Sequence, residues 1–484
     1  MIKKPLVRST PEAEGIPSAA VQGFVKALDR VGRNGHLVHG YILLRHGRVI
    51  AEGHWAPVSP EQPHQLFSLS KSFVSSAVGI AQGEGLLSID DRLVDFFPEF
   101  MSEKVSDRVK RITLRNLLTM ASGHAECAVG RYSVDNPGAD WVRNFLEDEL
   151  PYEPGTKFAY NSGATFMLSA VLKKVTGQDL TEYLRPRLFD PLGFGETRWE
   201  RNPDGLELGG WGLWLTTEEI AAFAQLWLQN GAWEGQQLIP RDYVAMASRK
   251  QIENAGVPWG GPPDWNQGYG FQFWMCRYNC FRGDGFAGQI ALMMPEYDLA
   301  VGITAGCNDI QAELDVAYAS LIPAVQHRAL PENPEALASL RAVEAGLRIE
   351  MGVGGAANVA FLPERYKMEE NKLRLETVSV APSLSGNAVS IKLEYYNRTA
   401  EFLAGIDQEV VTKTSLAYTE PLGVAAKAVW HSGSELVVTA LPLGTPSFFT
   451  LRFSFDGNKL VFHHSTPIWF RIGPLDETVV GTRF

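Results

Sequence analysis

The sequence is poor in cysteine, with four in 484 residues, and no two of them form a CxxC pair: Cys127, Cys276, Cys280 and Cys307. Disulfide-stapled domains and zinc ribbons both need closely spaced cysteines, so we expect free thiols instead. The sequence also has no HExxH motif and no close cluster of His, Asp and Glu residues. We therefore expect no metal ion and no other cofactor.

Long apolar runs and excess positive charge are also absent. No stretch of 18 apolar residues occurs, and Lys3 and Lys4 near the start are followed by no apolar run. Lys and Arg total 44 against 55 Asp and Glu, a net charge of −11 that repels phosphate backbones and anionic lipid. We expect a cytoplasmic protein with neither nucleic acid nor membrane as partner. No G-x-S-x-G occurs, which argues against an α/β-hydrolase nucleophile elbow.

Apolar residues, in contrast, are plentiful. Hydrophobic residues make up 45% of the chain and charged residues 20%, which is typical of a globular protein. Because single hydrophobic cores stop growing at roughly 250–300 residues, 484 residues predict more than one domain. Composition changes at a Pro-rich stretch and again at a Gly-rich one. We therefore divide the chain into a domain at 1–330, a linker with one helix at 331–356, and an all-β domain at 357–484.

The first domain has strand patterns at both ends and helical patterns between them. Apolar residues around His46-Gly47 predict a β-hairpin, and Thr216 with Glu219 forms a capping box before a helix. Other predicted elements are buried helices at 72–82 and 165–175, strands at 269–274, 289–294 and 299–304, and a helix at 309–326. We predict an α+β fold, with an antiparallel sheet flanked by helices and an inserted helical region. The C-terminal domain is predicted to be a barrel or a sandwich.

The first motif with chemistry is Ser68-Leu69-Ser70-Lys71, where an extended segment gives way to an apolar helix. Residues three apart on a first helical turn share one face, so the Lys71 amine can reach the Ser68 hydroxyl. The positive end of the helix dipole disfavours an ammonium ion and stabilises a developing oxyanion. A neutral, buried lysine can then act as a base. Alternatively, Ser68 caps the helix and Lys71 extends to water.

The second motif, residues 157–163, places Tyr160 just before another apolar helix. A tyrosine at such a turn can project its hydroxyl into a cleft. A neighbouring amine cation would lower the pKa of Tyr160 and let it pass a proton to a leaving group. Alternatively, Tyr160 is a packing residue whose hydroxyl bonds to the backbone.

The third motif contains a literal G-x-G-x-x-G at Gly283, Gly285 and Gly288. Apolar strand residues follow it where a dinucleotide site needs a helix, so we reject a Rossmann interpretation. We interpret it as a sheet-edge strand whose glycines let a substrate backbone approach, with one N–H serving as an oxyanion donor. The alternative is a Gly-rich hairpin turn. Several tryptophans are concentrated near this predicted cleft, and one or two could line an apolar pocket: Trp211, Trp214, Trp259, Trp265 and Trp274.

In this order, the three motifs resemble those of the penicillin-recognising serine hydrolases. The most similar branch is the class C β-lactamase-like one, with D-aminopeptidases, β-lactamase-fold carboxylesterases and aminohexanoate-oligomer hydrolases. Supporting phrases occur at residues 43–48, 84–91, 117–124 and 209–217, and the similarity covers about residues 8–325. The resemblance implies Ser68 as acylated nucleophile, Lys71 as its base and Tyr160 as proton donor to the leaving group and later activator of water. It also implies an oxyanion hole made by the N–H groups of Ser68 and Phe286.

Two departures from the family pattern bear on the substrate. Ser162 stands where members that handle β-lactams usually carry Asn, which shortens a donor for a substrate amide. Gly283, followed by Asp284 and Gly285, stands where Lys or His commonly opens the third motif. The cationic anchor for a penicillin carboxylate is then missing unless Arg282 supplies it. We list these residues of the second and third motifs as substrate-binding candidates: Ser162, Arg282, Gly283, Asp284 and Gly285.

The sequence thus predicts a serine hydrolase acting on a small ester, amide or short peptide through an acyl-enzyme on Ser68. The residues leave open whether it is an esterase, a D-peptidase or a β-lactamase. The residues also leave open a different class of protein, a catalytically quiet one that binds peptides or peptidoglycan fragments. The sequence allows a homo-oligomer and assigns no role to the all-β domain.

Overall fold

The computed structural model describes residues 4–33, 36–127, 140–256, 261–352, 361–468 and 474–484. Within these ranges the helices are α1 Ser18–Val31, α2 Ser70–Gly83, α3 Leu114–Leu118, α4 Trp141–Leu146, α5 Ser162–Thr176, α6 Leu180–Leu184, α7 Thr217–Leu228, α8 Arg241–Ala247, α9 Ile310–Leu321 and α10 Pro334–Ala345. The strands before residue 310 are β1 Leu37–Arg45, β2 Arg48–His54, β3 His64–Gln65, β4 Arg198–Trp199, β5 Leu213–Leu215, β6 Ala232–Trp233, β7 Gln236–Gln237, β8 Trp274–Met275, β9 Phe281–Gly285, β10 Gln289–Met294 and β11 Leu299–Gly306. The later strands are β12 Glu364–Met368, β13 Leu375–Pro382, β14 Ala388–Tyr395, β15 Arg398–Gly405, β16 Val410–Thr414, β17 Leu422–Ser432, β18 Glu435–Pro442, β19 Phe449–Asp456, β20 Lys459–Thr466 and β21 Leu475–Arg483.

A six-stranded antiparallel sheet organises the first domain, in the order β2-β1-β11-β10-β9-β8. Strands from the two ends of the domain meet where β1 pairs with β11, with Leu43 opposite Val301. The chain between β2 and β8 contains α2 to α8, which is the predicted inserted helical region. The α+β fold and the hairpin around His46-Gly47 are therefore confirmed.

Both faces of this sheet are covered by helices. Along β1, Tyr41 and Leu43 belong to a core shared with α1, α9 and α10, whereas Ile42 and Leu44 belong to a core shared with α2, α5 and α7. Alternate side chains of a strand point to opposite faces, so an apolar run without polar interruptions is what a doubly covered strand requires. The sheet thus holds α2, which carries the first motif, on one face.

The helix α2 is buried on all sides, as its sequence predicts. Its polar residues are anchored individually: Leu213 N donates to Ser70 Oγ at 3.1 Å, Ser72 Oγ donates to the Gln272 carbonyl at 2.9 Å, and Ser75 Oγ lies 3.0 Å from Tyr243 OH. Buried hydroxyls are costly unless hydrogen-bonded, and these bonds remove that cost.

The predicted strand at 269–274 is mostly wrong. Only Trp274–Met275 forms a strand, because the preceding residues make a tight turn. Gly270 N donates to the Phe273 carbonyl at 2.8 Å, and Gln272 adopts a φ of 65°. The alternating apolar residues are real but fill the core from a loop. The capping box of Thr216 and Glu219 is present at the start of α7 as predicted.

The C-terminal domain is a closed β-barrel, which decides between the two predicted architectures. Its strands follow the order β15-β14-β13-β12-β21-β20-β19-β18-β17-β16, and a bridge between Gly405 and Lys427 joins β15 to β17. Nine strands thus close the barrel, and β16 pairs with Leu422–Ala426 of β17. Buried side chains such as Tyr366, Phe402 and Phe453 fill its interior. The barrel is therefore a packed core.

The barrel contacts the first domain just ahead of Ser68. The carbonyl of Gly444, in the loop between β18 and β19, accepts from Gln65 N at 2.9 Å, and Tyr418 OH donates to Gln65 Oε1 at 2.9 Å. A salt bridge of 2.7 Å joins Arg198 to Glu420. Most of the Gly-rich break predicted at 352–356 lies outside the described residues. Among the residues that are described, no helix is both long and apolar enough to cross a membrane.

Candidate active site

Ser68 lies in a 3₁₀ turn, Phe67–Leu69, that leads directly into α2. The turn is fixed at its start because Leu66 N donates to the Leu213 carbonyl at 2.8 Å and Phe67 adopts a φ of 47°. The helix begins at Ser70, as expected, and Ser68 does not cap it. The alternative interpretation of Ser68 as a cap is therefore excluded.

Lys71 is the most unusual side chain of the site because its amine is buried, with 1% of the residue exposed. Its Nζ lies 3.0 Å from Ser68 Oγ and 2.5 Å from the carbonyl oxygen of Gly210. Burial lowers the pKa of Lys71 to about 7, against weaker opposing effects of Cys127 and Asp284. Lys71 does not extend to water, and its amine can exist uncharged near neutral pH.

Tyr160 lies immediately before α5 and faces both Ser68 and Lys71. Its ring stacks on Trp274, with centroids 5.5 Å apart and planes inclined by 18°, and Lys71 Nζ lies 4.9 Å from its centroid. Burial, followed by Asp284, raises the pKa of Tyr160, and a hydrogen bond with Ser68 opposes that shift. The expected lowering of this pKa is wrong, because the site removes water from the phenol. Tyr160 stays protonated, which suits a proton donor.

Ser162 is the first residue of α5, and its side chain does not line the cleft beside Ser68 among the residues described there. Its backbone N donates to Cys127 Sγ at 3.3 Å. A Cβ added to Gly210 would lie 2.9 Å from the Ser162 carbonyl oxygen. Ser162 therefore packs against the residue whose carbonyl binds Lys71.

The third motif lies on β9, whose pairing with β8 involves only Phe281 and Arg282. Gly283 and Gly285 continue beyond this pairing, next to the turn that carries Ser68. A Cβ on Gly283 would lie 2.5 Å from Ser72 Oγ, and one on Gly285 would lie 2.0 Å from the Leu66 carbonyl oxygen. The space left by these glycines is thus occupied by the Ser68 segment of the chain, which differs from the expected approach of a substrate backbone to them.

Arg282 and Asp284 point to the same side of β9 and form an ion pair. Arg282 Nε donates to Asp284 Oδ2 at 2.8 Å, and Trp274 also hydrogen-bonds to the carboxylate. The guanidinium lies 4.1 Å from the Trp265 ring centroid and is 0% exposed, whereas Asp284 lines the cleft. The prediction that Arg282 binds substrate is therefore wrong, since its charge is buried and held by Asp284.

Phe286 follows β9 and lines the same cleft as Ser68. It is 38% exposed, and its ring packs edge-on against Phe67, with centroids 5.5 Å apart. The two residues whose N–H groups were predicted to form an oxyanion hole therefore border one cavity.

That cavity has a volume of about 370 Å³ and aromatic walls. Tyr160, Trp265, Trp274 and Phe286 line it, together with Ile310 from α9. Two of the tryptophans that the sequence placed near the cleft are therefore there, whereas Trp259 lies outside the described residues. Of the residues described around the cavity, none that line it is Lys, Arg or His.

Gln272 is a site residue that the sequence did not reveal. Its side-chain amide donates to the carbonyls of Leu117 and Leu118 and accepts from Thr165 Oγ1 at 2.7 Å, while its carbonyl accepts from Ser72. It thereby ties α2, α3 and α5 together behind the three motifs. Only its left-handed backbone and full burial mark it, and neither can be read from sequence.

The antiparallel sheet, the helical insertion and the three motifs meeting in one cleft define the penicillin-recognising serine hydrolase superfamily. A family model described as Beta-lactamase matches residues 12–318, more than half of the chain. The chain therefore belongs to the Beta-lactamase family, and the resemblance seen in the sequence is confirmed.

Solved structures show the same fold over different shares of the chain. The octameric penicillin-binding protein homologue from Pyrococcus abyssi gives a TM-score of 0.50 at 16% identity, covering 95% of this chain and 99% of that one. EstCE1, described as a hydrolase with promiscuous acyltransferase activity, gives 0.51 at 19% identity, covering 62% of this chain and 98% of that one. At these identities the likeness is one of fold.

Curated sequence relatives match shorter parts of the chain. Protein flp from Staphylococcus aureus strain MW2 is 25% identical over 223 residues, which are 42% of this chain and 44% of that protein. Protein flp from strain MRSA252 is 27% identical over 147 residues, 30% of this chain and 29% of that protein. The chain spans less than half the length of these curated relatives.

Proposed function

We propose that the protein is a serine hydrolase that cleaves a small ester or amide through an acyl-enzyme on Ser68. The observation that carries the proposal is the 3.0 Å distance between Ser68 Oγ and a buried Lys71 amine whose pKa is about 7. A hydroxyl becomes a useful nucleophile only when a base within hydrogen-bond reach can take its proton. A buried amine that is uncharged near neutral pH meets that requirement.

In the acylation step, Ser68 Oγ bonds to the substrate carbonyl carbon while Lys71 Nζ takes the hydroxyl proton. The N–H groups of Ser68 and Phe286 stabilise the resulting oxyanion. The bond from this carbon to the leaving oxygen or nitrogen then breaks, the leaving atom takes the proton of Tyr160, and Lys71 returns its proton to Tyr160. An alcohol or amine departs.

In deacylation, water replaces the leaving group. Its proton passes through Tyr160 to Lys71 as its oxygen bonds to the acyl carbon, and Ser68 recovers a proton from Lys71 when the acid leaves. Since burial raises the pKa of Tyr160, the phenol relays this proton, and Lys71 remains the base.

An ester is the favoured substrate over a β-lactam. A penicillin carboxylate needs a cation at the cleft, whereas Arg282 is buried and paired with Asp284. EstCE1, whose fold is similar, is described as a hydrolase with promiscuous acyltransferase activity, which is consistent with a reaction through an acyl-enzyme. An assembly of several copies is also part of the proposal, by analogy with the octameric protein of Pyrococcus abyssi.

The proposal is tested by assaying 4-nitrophenyl butyrate, a D-alanyl amide and nitrocefin side by side with wild type and Ser68→Ala. We expect ester turnover to exceed the other two and to vanish in the variant. Strong nitrocefin turnover would contradict the substrate assignment. A catalytically quiet peptide-binding protein would turn over none of the three, yet would show a melting temperature that shifts with ligand.

A further inference from the structure

Of the residues described around the cleft, Asp284 supplies a carboxylate, and the buried Arg282 guanidinium forms an ion pair with it. Asp284 is 8% exposed and lines the cavity, and Arg282 bonds to it at 2.8 Å from within the core. Arg282 has no other carboxylate partner among the described residues. Asp264, which is near it, offers Arg282 only its carbonyl oxygen, at 2.8 Å, because its carboxylate binds Arg277 and Gln311.

Aromatic rings beside the Arg282–Asp284 pair make the cavity apolar. Arg282 lies against the Trp265 ring, with its guanidinium carbon 4.1 Å from the ring centroid and 5.7 Å from that of Trp274. The cavity itself is lined by Tyr160, Trp265, Trp274 and Phe286. A substrate group there meets apolar rings and a paired carboxylate, in an environment where an unpaired charge is costly.

The position of Tyr160 identifies which part of the substrate this cavity holds. In the proposed reaction Tyr160 gives its proton to the leaving atom, so the leaving group must depart beside its hydroxyl. Tyr160 stacks on Trp274, and both line the cavity together with Asp284. The cavity therefore lies on the leaving-group side of Ser68.

We propose that the Arg282–Asp284 pair makes the protein select uncharged, apolar leaving groups, such as flat aromatic alcohols, over leaving groups that carry a carboxylate. This inference rests on the proposed hydrolase function and deepens it. Asp284 is then a specificity-determining residue, and Arg282 acts through it. Leaving groups that carry a carboxylate are rejected because the Arg282 charge is already paired with Asp284.

The test uses two butyrate esters of phenols that carry, at the meta position, an ethyl or a carboxymethyl group. Each kcat/KM is divided by the rate constant for alkaline hydrolysis of the same ester, which removes differences in chemical reactivity. For wild type we expect the ethyl ester to exceed the carboxymethyl ester by about tenfold or more, roughly the effect of one unpaired charge near a desolvated site. A carboxymethyl ester that equals or exceeds the ethyl ester would overturn the proposal.

Two variants form the matched comparison. Asp284→Asn leaves the Arg282 charge without its partner, so the ratio of carboxymethyl to ethyl ester should rise by about tenfold. Asp284→Asn combined with Arg282→Met removes both charges, so the ratio should return to within about twofold of wild type. An unchanged ratio in Asp284→Asn, or a double variant that keeps the raised ratio, would overturn the proposal.

Control measurements distinguish an effect of the Arg282–Asp284 pair from a general effect of the substitution, from misfolding and from a lack of hydrolase activity. Asp95→Asn makes the same chemical change in an exposed pair with Arg92 and should leave all ratios unchanged. Melting curves identify variants that do not fold, and in that case the wild-type ester series decides. If wild type hydrolyses none of the esters and Ser68 is never acylated, the hydrolase function fails. If it hydrolyses them without discriminating, only the present inference fails.

Discussion

The amine of Lys71 lies 3.0 Å from the hydroxyl of Ser68 and is held from its other side by the Gly210 carbonyl, at 2.5 Å. Both residues belong to one stretch of chain, whereas Gly210 comes from the segment that precedes β5. The amine is thus fixed by a long-range contact, so its orientation does not depend on a flexible lysine chain. A fixed base loses little entropy when the reaction begins.

The rate should depend on pH through Lys71. Its pKa is about 7, so the amine is increasingly protonated below that pH and cannot accept the Ser68 proton. We expect kcat/KM for 4-nitrophenyl butyrate to fall about tenfold for each pH unit below 7 and to level off above it. Because the pKa of Tyr160 is raised, no decrease should follow below pH 10. A flat profile between pH 5 and 7 would contradict the role of Lys71.

Lys71→Met should abolish turnover and stabilise the fold. Lys71 has its ordinary pKa of 10.5 in the unfolded chain and a pKa of about 7 in the folded protein. Because the unfolded chain takes up the proton first, the free energy of unfolding decreases as the pH falls from 10.5 towards 7. We expect the variant to gain about 2–4 kcal/mol in unfolding free energy relative to wild type at pH 7, and much less at pH 10. Urea unfolding at the two pH values measures both. An equal difference at both pH values would contradict the depressed pKa.

Tyr160→Phe should affect poor leaving groups most. The variant keeps the stacking on Trp274 but loses the proton that a departing alkoxide needs. We expect kcat/KM for ethyl butyrate to fall by about 10²–10³, and that for 4-nitrophenyl butyrate by less than tenfold, since nitrophenolate leaves unprotonated. Tyr152→Phe, which removes a surface hydroxyl bonded to Lys157, is the matched control. Equal losses for both esters would show that Tyr160 does not donate the proton.

The barrel should influence turnover through its loop against β3. Gly444 has a φ of 80°, and an added Cβ would lie 2.2 Å from the Pro63 carbonyl oxygen, so Gly444→Ala forces the loop away from Gln65. We expect kcat to fall roughly fivefold while each domain stays folded, because the segment before Ser68 loses its support. Gly433→Ala, where an added Cβ meets nothing within 4 Å, is the control. Equal kcat values for the two variants would leave the barrel without this role.

Local sequence patterns predicted much of the fold. The capping box, the hairpin around His46-Gly47 and the buried helix beginning at Ser70 depend on neighbours within a few residues, so the sequence was sufficient to predict them. The strand predicted at 269–274 failed because an alternating apolar pattern cannot distinguish a strand from a loop that fills the core. The choice between barrel and sandwich depended on a closure between β15 and β17, which no local pattern encodes.

In the candidate site, too, the sequence predicted contacts between near neighbours in the chain and missed those between distant segments. Ser68 and Lys71 are three residues apart, so helical geometry predicted their contact. The partner of Arg282 could not be predicted in this way, because in a strand residues two apart point to one side but need not bond. Gly210 and Gln272 were missed because their roles depend on contacts made through the folded chain. The environment of Tyr160 was misjudged because burial depends on the complete cleft.

The most direct test of the central claim is labelling with a fluorophosphonate probe followed by peptide mass mapping. The account predicts one modification, on Ser68, in wild type, with no labelling of Ser68→Ala and greatly slowed labelling of Lys71→Met. Modification of wild type on any other residue, or unchanged turnover by Ser68→Ala, would contradict it.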